Sequence, residues 1–410
     1  MPSTSLPRLK VLMIGLNIDG TDIGEALFAH KWADCISREV DLTLLCLQRP
    51  GRMPVAEQLP YARVITWDEP AFLARFERVR AMLKPAWPLF CIKVRHWIKD
   101  AAARGERFDI AHQLVPQPLR HATPLRNQGM PYVIGPKGGS LDTPPAFRHE
   151  LEPRSLFVRL RDLDHVRLAV DPTLRRTYSD ADLVIGSAPY IREILGDIPL
   201  KRFEVIPEFA GEKPYPPVPH KRAAGTLRLL HVGRGVRTKG LRDVVRALAK
   251  LPDLPDITLT SAGGGEEIRL CEQEAERLGV QNRVRFLGQV PRAEVENLYA
   301  QSDLLAFPSF REPMGGVFFE AMRWGLPAIA ADRGGPQVVI DESCGIRIPV
   351  TDPDRFSSDI ADAIRSLALD PQRLDVLSEG ARKKLVGFGS WGDRGVRMAA
   401  LYREIIEARS

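Results

Sequence analysis

Cysteine is scarce and unpatterned. The five cysteines, at 35, 46, 91, 271 and 344, are odd in number and never spaced as C-x-x-C. This predicts reduced thiols in a cytoplasmic protein and argues against a zinc site. Long apolar runs are missing as well. The first, Val11-Leu12-Met13-Ile14, is too short for a signal peptide, and no stretch nears the length of a membrane span. No low-complexity tract interrupts the chain, and neither sign of charge dominates. Lys and Arg number 58 against 52 Asp and Glu, leaving +6. That is a mild lean toward phosphorylated ligands or anionic surfaces and not a nucleic-acid signature. What is present is an ordinary globular composition, 44% hydrophobic and 27% charged, over 410 residues. That length supports two domains with separate cores.

Both halves alternate strand with helix. In the first, strand-like runs at 10–16, 41–47, 63–67, 109–115, 131–134 and 182–185 are separated mostly by helical patterns, the clearest at 25–37. Residues 207–226 then hold five prolines and almost no apolar periodicity, which predicts a linker. Alternation restarts with strands at 227–232, 256–260, 283–286 and 303–307 and helices at 240–250 and 266–278. The spacing therefore predicts an α/β protein with an N-terminal Rossmann-like domain over 1–206 and a second over 207–390. A last helix over 391–410 presents Met398, Leu401, Tyr402 and Ile405 on one face and is expected to pack back toward the first domain. Doubly wound sheets of this kind imply a cleft between the domains and ligands at the carboxyl ends of strands.

Two stretches carry chemistry. EPMGGVFFE, residues 312–320, sets Glu312 in a loop and Glu320 in the second turn of a helix that Gly325 and Pro327 terminate. Between them, Met314, Gly315, Gly316 and Val317 offer backbone N–H groups at a helix N-terminus, a natural anion site. HVGRGVRTKG, residues 231–240, follows the run LRLLHV and precedes a helix. Gly233, Gly235 and Gly240 flank Arg234 and Lys239, so a glycine loop with two cations leads from strand to helix, an arrangement that cradles phosphate. It matches neither the P-loop pattern nor G-x-G-x-x-G. Against each motif stands a plain alternative, a glycine turn with solvated charges.

Together these residues resemble glycosyltransferase family 4, retaining sugar transferases of the GT-B fold. The family's G-R-x-x-x-x-K-G loop matches Gly233, Arg234, Lys239 and Gly240. Its P-S-x-x-E followed by a glycine and E-A-M matches Pro308, Ser309, Glu312, Gly315, Glu320, Ala321 and Met322. The resemblance implies that Arg234 and Lys239 bind the diphosphate of a nucleotide-sugar such as a UDP- or GDP-sugar. There they would stabilise the charge that grows as the glycosidic bond breaks, worth roughly 2–4 kcal/mol per well-placed donor. Glu312 would accept from donor-sugar hydroxyls and Glu320 from the ribose, since a carboxylate can accept from a vicinal diol. Gly233, Gly235, Met314, Gly315, Gly316 and Val317 would complete the donor site. The acceptor side matches more loosely, through Gly24, His112 in Asp109-Ile110-Ala111-His112, and Lys137 with Gly138 in Gly135-Pro136-Lys137-Gly138-Gly139-Ser140. Leu114 stands where the family often has a second histidine, and Gln337 lies near where a further glutamate is common.

No cofactor or metal is expected. Asp162-Leu163-Asp164 reads as a charged helix face and Asp352-Pro353-Asp354 as a loop before a helix. Residues 75–107 hold nine cations against three acids, with Trp87, Phe90 and Trp97 interleaved. That composition suits an anionic membrane surface, and equally an ordinary helix pair with its tryptophans in the core. The expected activity is transfer to a saccharide or glycolipid acceptor in polysaccharide or cell-envelope assembly, in the cytoplasm or peripherally on the inner face of the membrane. The alternatives are a nucleotide-sugar epimerase or phosphorylase of the same fold, or a non-catalytic membrane-associated scaffold.

Overall fold

Two sets of apolar runs pair into two all-parallel sheets. The structure, a computed structural model, describes residues 7–22, 24–70, 84–151, 164–217 and 223–409. Among these, the first sheet contains β1 (Lys10–Asn17), β2 (Asp41–Gln48), β3 (Ala62–Asp68), β4 (Ile110–Gln113), β5 (Tyr132–Lys137), β6 (Leu183–Gly186) and β7 (Phe203–Val205), in the order β3-β2-β1-β4-β5-β6-β7. The second contains β8 (Leu227–Val232), β9 (Ile257–Ala262), β10 (Val284–Phe286), β11 (Leu304–Phe307), β12 (Ala328–Ala331) and β13 (Gly345–Ile348), in the order β10-β9-β8-β11-β12-β13. Near-continuous apolar strands such as VLMIGL and LLAF are what a sheet covered on both faces requires. In each sheet the order reverses once, between β1 and β4 and between β8 and β11. Chain leaving neighbouring strands in opposite directions opens a crevice there.

The chain divides into two compact units: Met1–Ser140 with Arg154–Ala210 and Ser390–Ser410, and Leu141–Pro153 with Gly211–Gly389. The first unit carries helices α1 (Glu25–Ser37) and α2 (Trp87–Ala103) and the C-terminal helix Trp391–Glu407. That last helix starts in a capping box between Ser390 and Asp393 and buries Met398, Leu401, Tyr402 and Ile405 in one core with Trp32 and Ile36 of α1. Gly395 permits the approach, because a side chain there would strike the Cys35 carbonyl. The second unit carries α3 (Leu241–Ala249), α4 (Arg292–Gln301) and α5 (Gly316–Arg323) around a core that includes Leu229, Val245, Leu259, Leu304 and Ile329.

Two expectations need correction. The segment Leu141–Pro153, assigned from sequence to the first domain, lies in the second unit. There Phe147 is fully buried against Phe310, with ring centroids 4.4 Å apart. Nor are residues 207–217 a free linker; residues 218–222 lie outside the described residues. Trp32 Nε1 donates to the Glu208 carbonyl at 2.8 Å in the first unit. In the second, the Tyr215 amide donates to the Arg323 carbonyl at 2.7 Å and its ring lies 4.3 Å from Trp324. Hydrogen bonds and a ring contact hold this proline-rich stretch to each unit in turn.

The aromatics of 75–107 were open to two readings, a membrane surface and a core. Residues 75–83 lie outside the described residues. In α2, Trp87 and Phe90 are buried in the core, while Trp97 is half-buried and packs on Phe108. The exposed face of α2 is instead Leu89, Ile92, Lys93, Arg95, His96 and Lys99. Among the described residues no helix is long and apolar enough to cross a membrane.

Candidate functional site

The residues read as a donor site meet because β8 and β11 are neighbours. Each strand ends in a loop at the point where the sheet order reverses, so positions 73 apart in sequence face each other. Lys239 Nζ donates to Glu312 Oε2 at 2.5 Å, and the ammonium also lies 5.3 Å from the Phe307 ring centre. Ser309 Oγ donates to the Thr238 carbonyl at 3.0 Å and ties the two loops again. Gly240, at φ 78°, lies so close to the Pro308 carbonyl that any side chain would collide.

Glycine is needed twice more on the second loop. Gly315, the residue before α5, has φ 87°, and a Cβ there would stand 2.5 Å from the Phe318 ring and 3.1 Å from Glu312 Cγ. The chain thus turns sharply into α5 while leaving the first-turn N–H groups of Gly316 and Val317 without intrahelical acceptors. Met314 is buried, its backbone packed against Gly335. Gly334 and Gly335 support this loop from behind: the Gly335 amide donates to the Glu312 carbonyl at 2.9 Å. A second glycine cluster escaped the sequence reading. Gly263, Gly264 and Gly265, after β9, pack on the phosphate-type loop; Gly233 N donates to the Ala262 carbonyl at 3.0 Å and Gly235 N to the Gly264 carbonyl at 2.8 Å.

The three cations of GRGVRTK are sorted by burial. Arg234 is exposed and engages no carboxylate among the described residues. Arg237 is buried, gripping both oxygens of Asp243 at 2.6 and 2.8 Å and Glu150 Oε2 at 2.9 Å. Burial disfavours its charge, but those carboxylates outweigh this and raise the guanidinium further above its usual range. Burial likewise pushes the Asp243 carboxyl up, against the pull of Arg237. Arg237 therefore organises the loop and has no hand free for a ligand.

Glu320 stands on the outer side of α5. Arg292 donates to its Oε1 at 2.8 Å and the Tyr299 hydroxyl to its Oε2 at 2.9 Å. Tyr299 is fully buried, and burial together with the Glu320 charge raises its phenol well above the usual range, so it stays a proton donor. Neither Arg292 nor Tyr299 was singled out from sequence; both sit on α4, and only the packing of α4 beside α5 brings them to Glu320.

On the first sheet the acceptor-side candidates separate. Gly24 is exposed at the start of α1 with φ 64° and open space beside it. Lys137 is wholly buried at the end of β5, its ammonium donating to the Pro116 carbonyl. Burial pulls it down to about 7, with Glu25 opposing. Glu25 itself accepts from the Gln117 amide at 2.7 Å and pairs with Lys84 at 2.5 Å. Gly138 is flush against other segments of the chain: a Cβ there would lie 2.6 Å from Glu208 Oε1 and 3.4 Å from Ser187 Oγ. Glu25, Gln117, Ser187 and Glu208 were not in the sequence reading.

His112 is corrected outright. It is fully buried; its Nε2 donates to the Gly135 carbonyl at 2.7 Å and its Nδ1 accepts from the Tyr402 hydroxyl at 2.6 Å. Burial lowers it to about 4. Both ring nitrogens are used inside the fold, so His112 fastens the C-terminal helix to β4 and is not presented to a substrate. Asp352, half of the second Asp-x-Asp, caps the helix Pro353–Ala368 by accepting from the Asp354 and Arg355 amides, and Asp354 pairs with Lys250 at 2.8 Å. Of the other Asp-x-Asp, residues 162 and 163 lie outside the described residues.

The chain is also similar to known proteins. Residues 218–384 match the family model for glycosyl transferases group 1. The chain is 34% identical over 183 residues to a D-inositol 3-phosphate glycosyltransferase of Corynebacterium jeikeium, covering 42% of each. It is 29% identical over 226 residues to the lipopolysaccharide core biosynthesis glycosyltransferase LpsE of Rhizobium meliloti, covering 54% of this chain and 64% of that one. The matches thus span less than two thirds of these relatives. In overall fold the chain is similar to Anabaena HepE, solved in complex with UDP, with a TM-score of 0.66 at 19% identity over 97% of this chain and 100% of that one. The fold is GT-B.

Proposed function

We propose that the protein is a glycosyltransferase that moves a sugar from a nucleotide-diphospho-sugar to a hydroxyl of a saccharide or glycolipid acceptor, with retention and without a metal. The observation that carries the reading is the Lys239–Glu312 pair, 2.5 Å apart where β8 and β11 diverge, beside the open N-terminus of α5. An incoming diphosphate competes with Glu312 for the Lys239 ammonium. Once it wins, Glu312 is released to accept from sugar hydroxyls. One interaction thus stores the site empty, and its exchange arms it.

Arg234 adds a second cation from the edge of the loop, and the N–H groups of Gly316 and Val317 complete the anion site. Glu320, held by Arg292 and Tyr299, keeps lone pairs for a ribose diol. As the bond to the anomeric carbon lengthens, negative charge flows to the diphosphate oxygen that these groups already face. The acceptor hydroxyl, approaching on the same side, passes its proton to a leaving-group oxygen. The UDP bound by HepE and the sugar-transfer names of the relatives support a nucleotide-sugar donor.

The test is thermal stabilisation by UDP, GDP, ADP and TDP, each with and without magnesium. A ligand at about a hundred times its dissociation constant adds roughly 2.7 kcal/mol. One diphosphate should stabilise the protein equally with and without metal. Strict dependence on magnesium would refute the metal-free mechanism, and silence from all four would refute the donor site. Turnover of nucleotide-sugar into an isomer with no acceptor would favour the epimerase.

We propose also that the outer face of α2, with Leu89, Ile92 and its cations, lets the enzyme rest on the inner face of an anionic membrane from the cytoplasm. Co-sedimentation with phosphatidylglycerol vesicles but not with neutral ones is the expected result; equal recovery with both rejects the idea.

A further inference from the structure

Residues 141–150 belong to the first half of the sequence yet touch each loop of the donor site within the second unit. Phe147 is buried against Phe310, two residues before Glu312, and its ring also lies 5.4 Å from the Arg237 guanidinium. Glu150 spans two arginines: Oε2 accepts from Arg237 Nε at 2.9 Å and Oε1 from Arg246 at 2.7 Å. The Leu141 carbonyl accepts from Arg311 Nε at 2.6 Å, directly beside Glu312. Arg333, just before the Gly334–Gly335 pair, donates to the Asp142 carbonyl at 2.8 Å and to the Phe310 carbonyl at 2.7 Å. A Cβ on Gly334 would meet the Leu141 side chain at 2.7 Å. Three loops that leave three different strands, β8, β11 and β12, are therefore clasped by one short segment.

None of these contacts reaches the ligand groups themselves. They fix the residues beside them: Arg237 is two positions from Lys239, and Arg311 adjoins Glu312. Both arginines of the Glu150 cluster have other carboxylates, Asp243 for Arg237 and Glu274 for Arg246 at 2.7 Å. Charge balance of the core therefore does not explain why a third carboxylate is brought from ninety residues upstream. The position of the loop does.

From this we infer that Leu141–Glu150 is a brace of the donor site, with Glu150 and Phe147 as positioning residues that hold the Lys239 loop and the Glu312 loop in register. This deepens the reading of the site as a nucleotide-diphosphate site and rests on it for its effect on affinity. The mechanical part, restraint of the two loops, is independent of that reading.

The experiment compares Glu150→Gln and the milder Phe147→Leu with a control, Asp303→Asn. The control breaks the Arg228–Asp303 pair, bonded at 2.8 and 2.9 Å at the opposite, amino-terminal ends of β8 and β11. Hydrogen exchange of the ligand-free proteins and UDP titration below the melting range are read for each. Glu150→Gln and Phe147→Leu should speed amide exchange in 233–240 and 312–316 and weaken UDP binding about tenfold. Glu150→Asp should recover part of both effects. Asp303→Asn should lower Tm with neither effect. Unchanged exchange of those loops in both brace variants, or an equal change in the control, overturns the inference. If wild-type protein binds none of UDP, GDP, ADP and TDP, the nucleotide reading falls, while the exchange data still decide whether the brace exists.

Discussion

The carboxyl ends of the two sheets hold the same kinds of side chain and use them oppositely. At the first, His112 and Lys137 are fully buried and donate to the Gly135 and Pro116 carbonyls, and burial depresses both, to about 4 and about 7. At the second, Lys239 meets a carboxylate across a loop boundary, and Arg234 is exposed. A buried donor bonded to a backbone carbonyl cannot exchange that partner without leaving a buried polar group unpaired. A cation bonded to a carboxylate can exchange it for a phosphate. The partner, more than the residue type, separates a structural cation from a functional one. GRGVRTK adds burial and partner number to this lesson: Arg237 is buried and held by two carboxylates, Asp243 and Glu150, and stays structural, whereas Lys239 is half-buried and meets Glu312 alone.

The contrast is broken most severely by Glu312→Gln. Sugar transfer should fall by about a hundredfold or more, as for loss of a group that acts on the reacting sugar, while UDP binds at least as tightly because Lys239 loses its competitor. Initial rates and calorimetry on the same preparation check both halves; weaker UDP binding would contradict the exchange of partners.

Next in size is Asp243→Ala. It strips the buried Arg237 of its bidentate partner and should cost about 3–5 kcal/mol, read as a Tm drop with folding still cooperative. A loss under about 1 kcal/mol would mean that Arg237 is not the structural cation described here.

His112 gives a smaller and pH-dependent effect. Its value in the fold lies near 4, below its ordinary 6.5. The unfolded chain therefore binds the proton more readily between those values. Wild-type stability should decline as pH falls from 6.5 toward 4, and level below that as far as this group is concerned. In His112→Gln that part of the decline should vanish, and transfer at neutral pH should stay within about twofold of wild type for the folded protein, since the ring touches no substrate. Denaturation midpoints across that range decide it. Parallel profiles for the two proteins would refute the assignment.

Smallest is Tyr299→Phe, which removes one donor to Glu320 without opening a cavity. UDP affinity should drop about two- to tenfold, on the scale of one hydrogen bond of about 0.5–1.5 kcal/mol. The same substitution should leave inorganic pyrophosphate affinity unchanged, as the proposed placement of Glu320 at the ribose requires. An equal loss for both ligands would sink that placement.

Much of this was legible in the sequence. Glu25–Ser37 and Leu227–Val232 are read from periodicity with the same ends that the structure gives. The spacing of Gly233, Lys239 and Gly240 identifies a strand–loop–helix unit, and Gly315 marks the turn into α5. Strands β7, β12 and β13 were not read. The role of Arg237 was hidden because its partner Glu150 lies 87 residues away. The fate of His112 was hidden for the same reason, its partner Tyr402 being 290 residues away. Local pattern predicts local shape; which of two nearby cations is buried depends on what distant chain arrives to cover it.

The most direct test is a titration of UDP into wild type, Arg234→Ala and Lys239→Ala at one temperature below all three melting points. The account predicts at least about a tenfold loss of affinity in each variant, with Tm values close to wild type. Wild-type affinity in Lys239→Ala would show that the ammonium facing Glu312 is only another structural cation, and the distinction between the two sheet edges would fall with it.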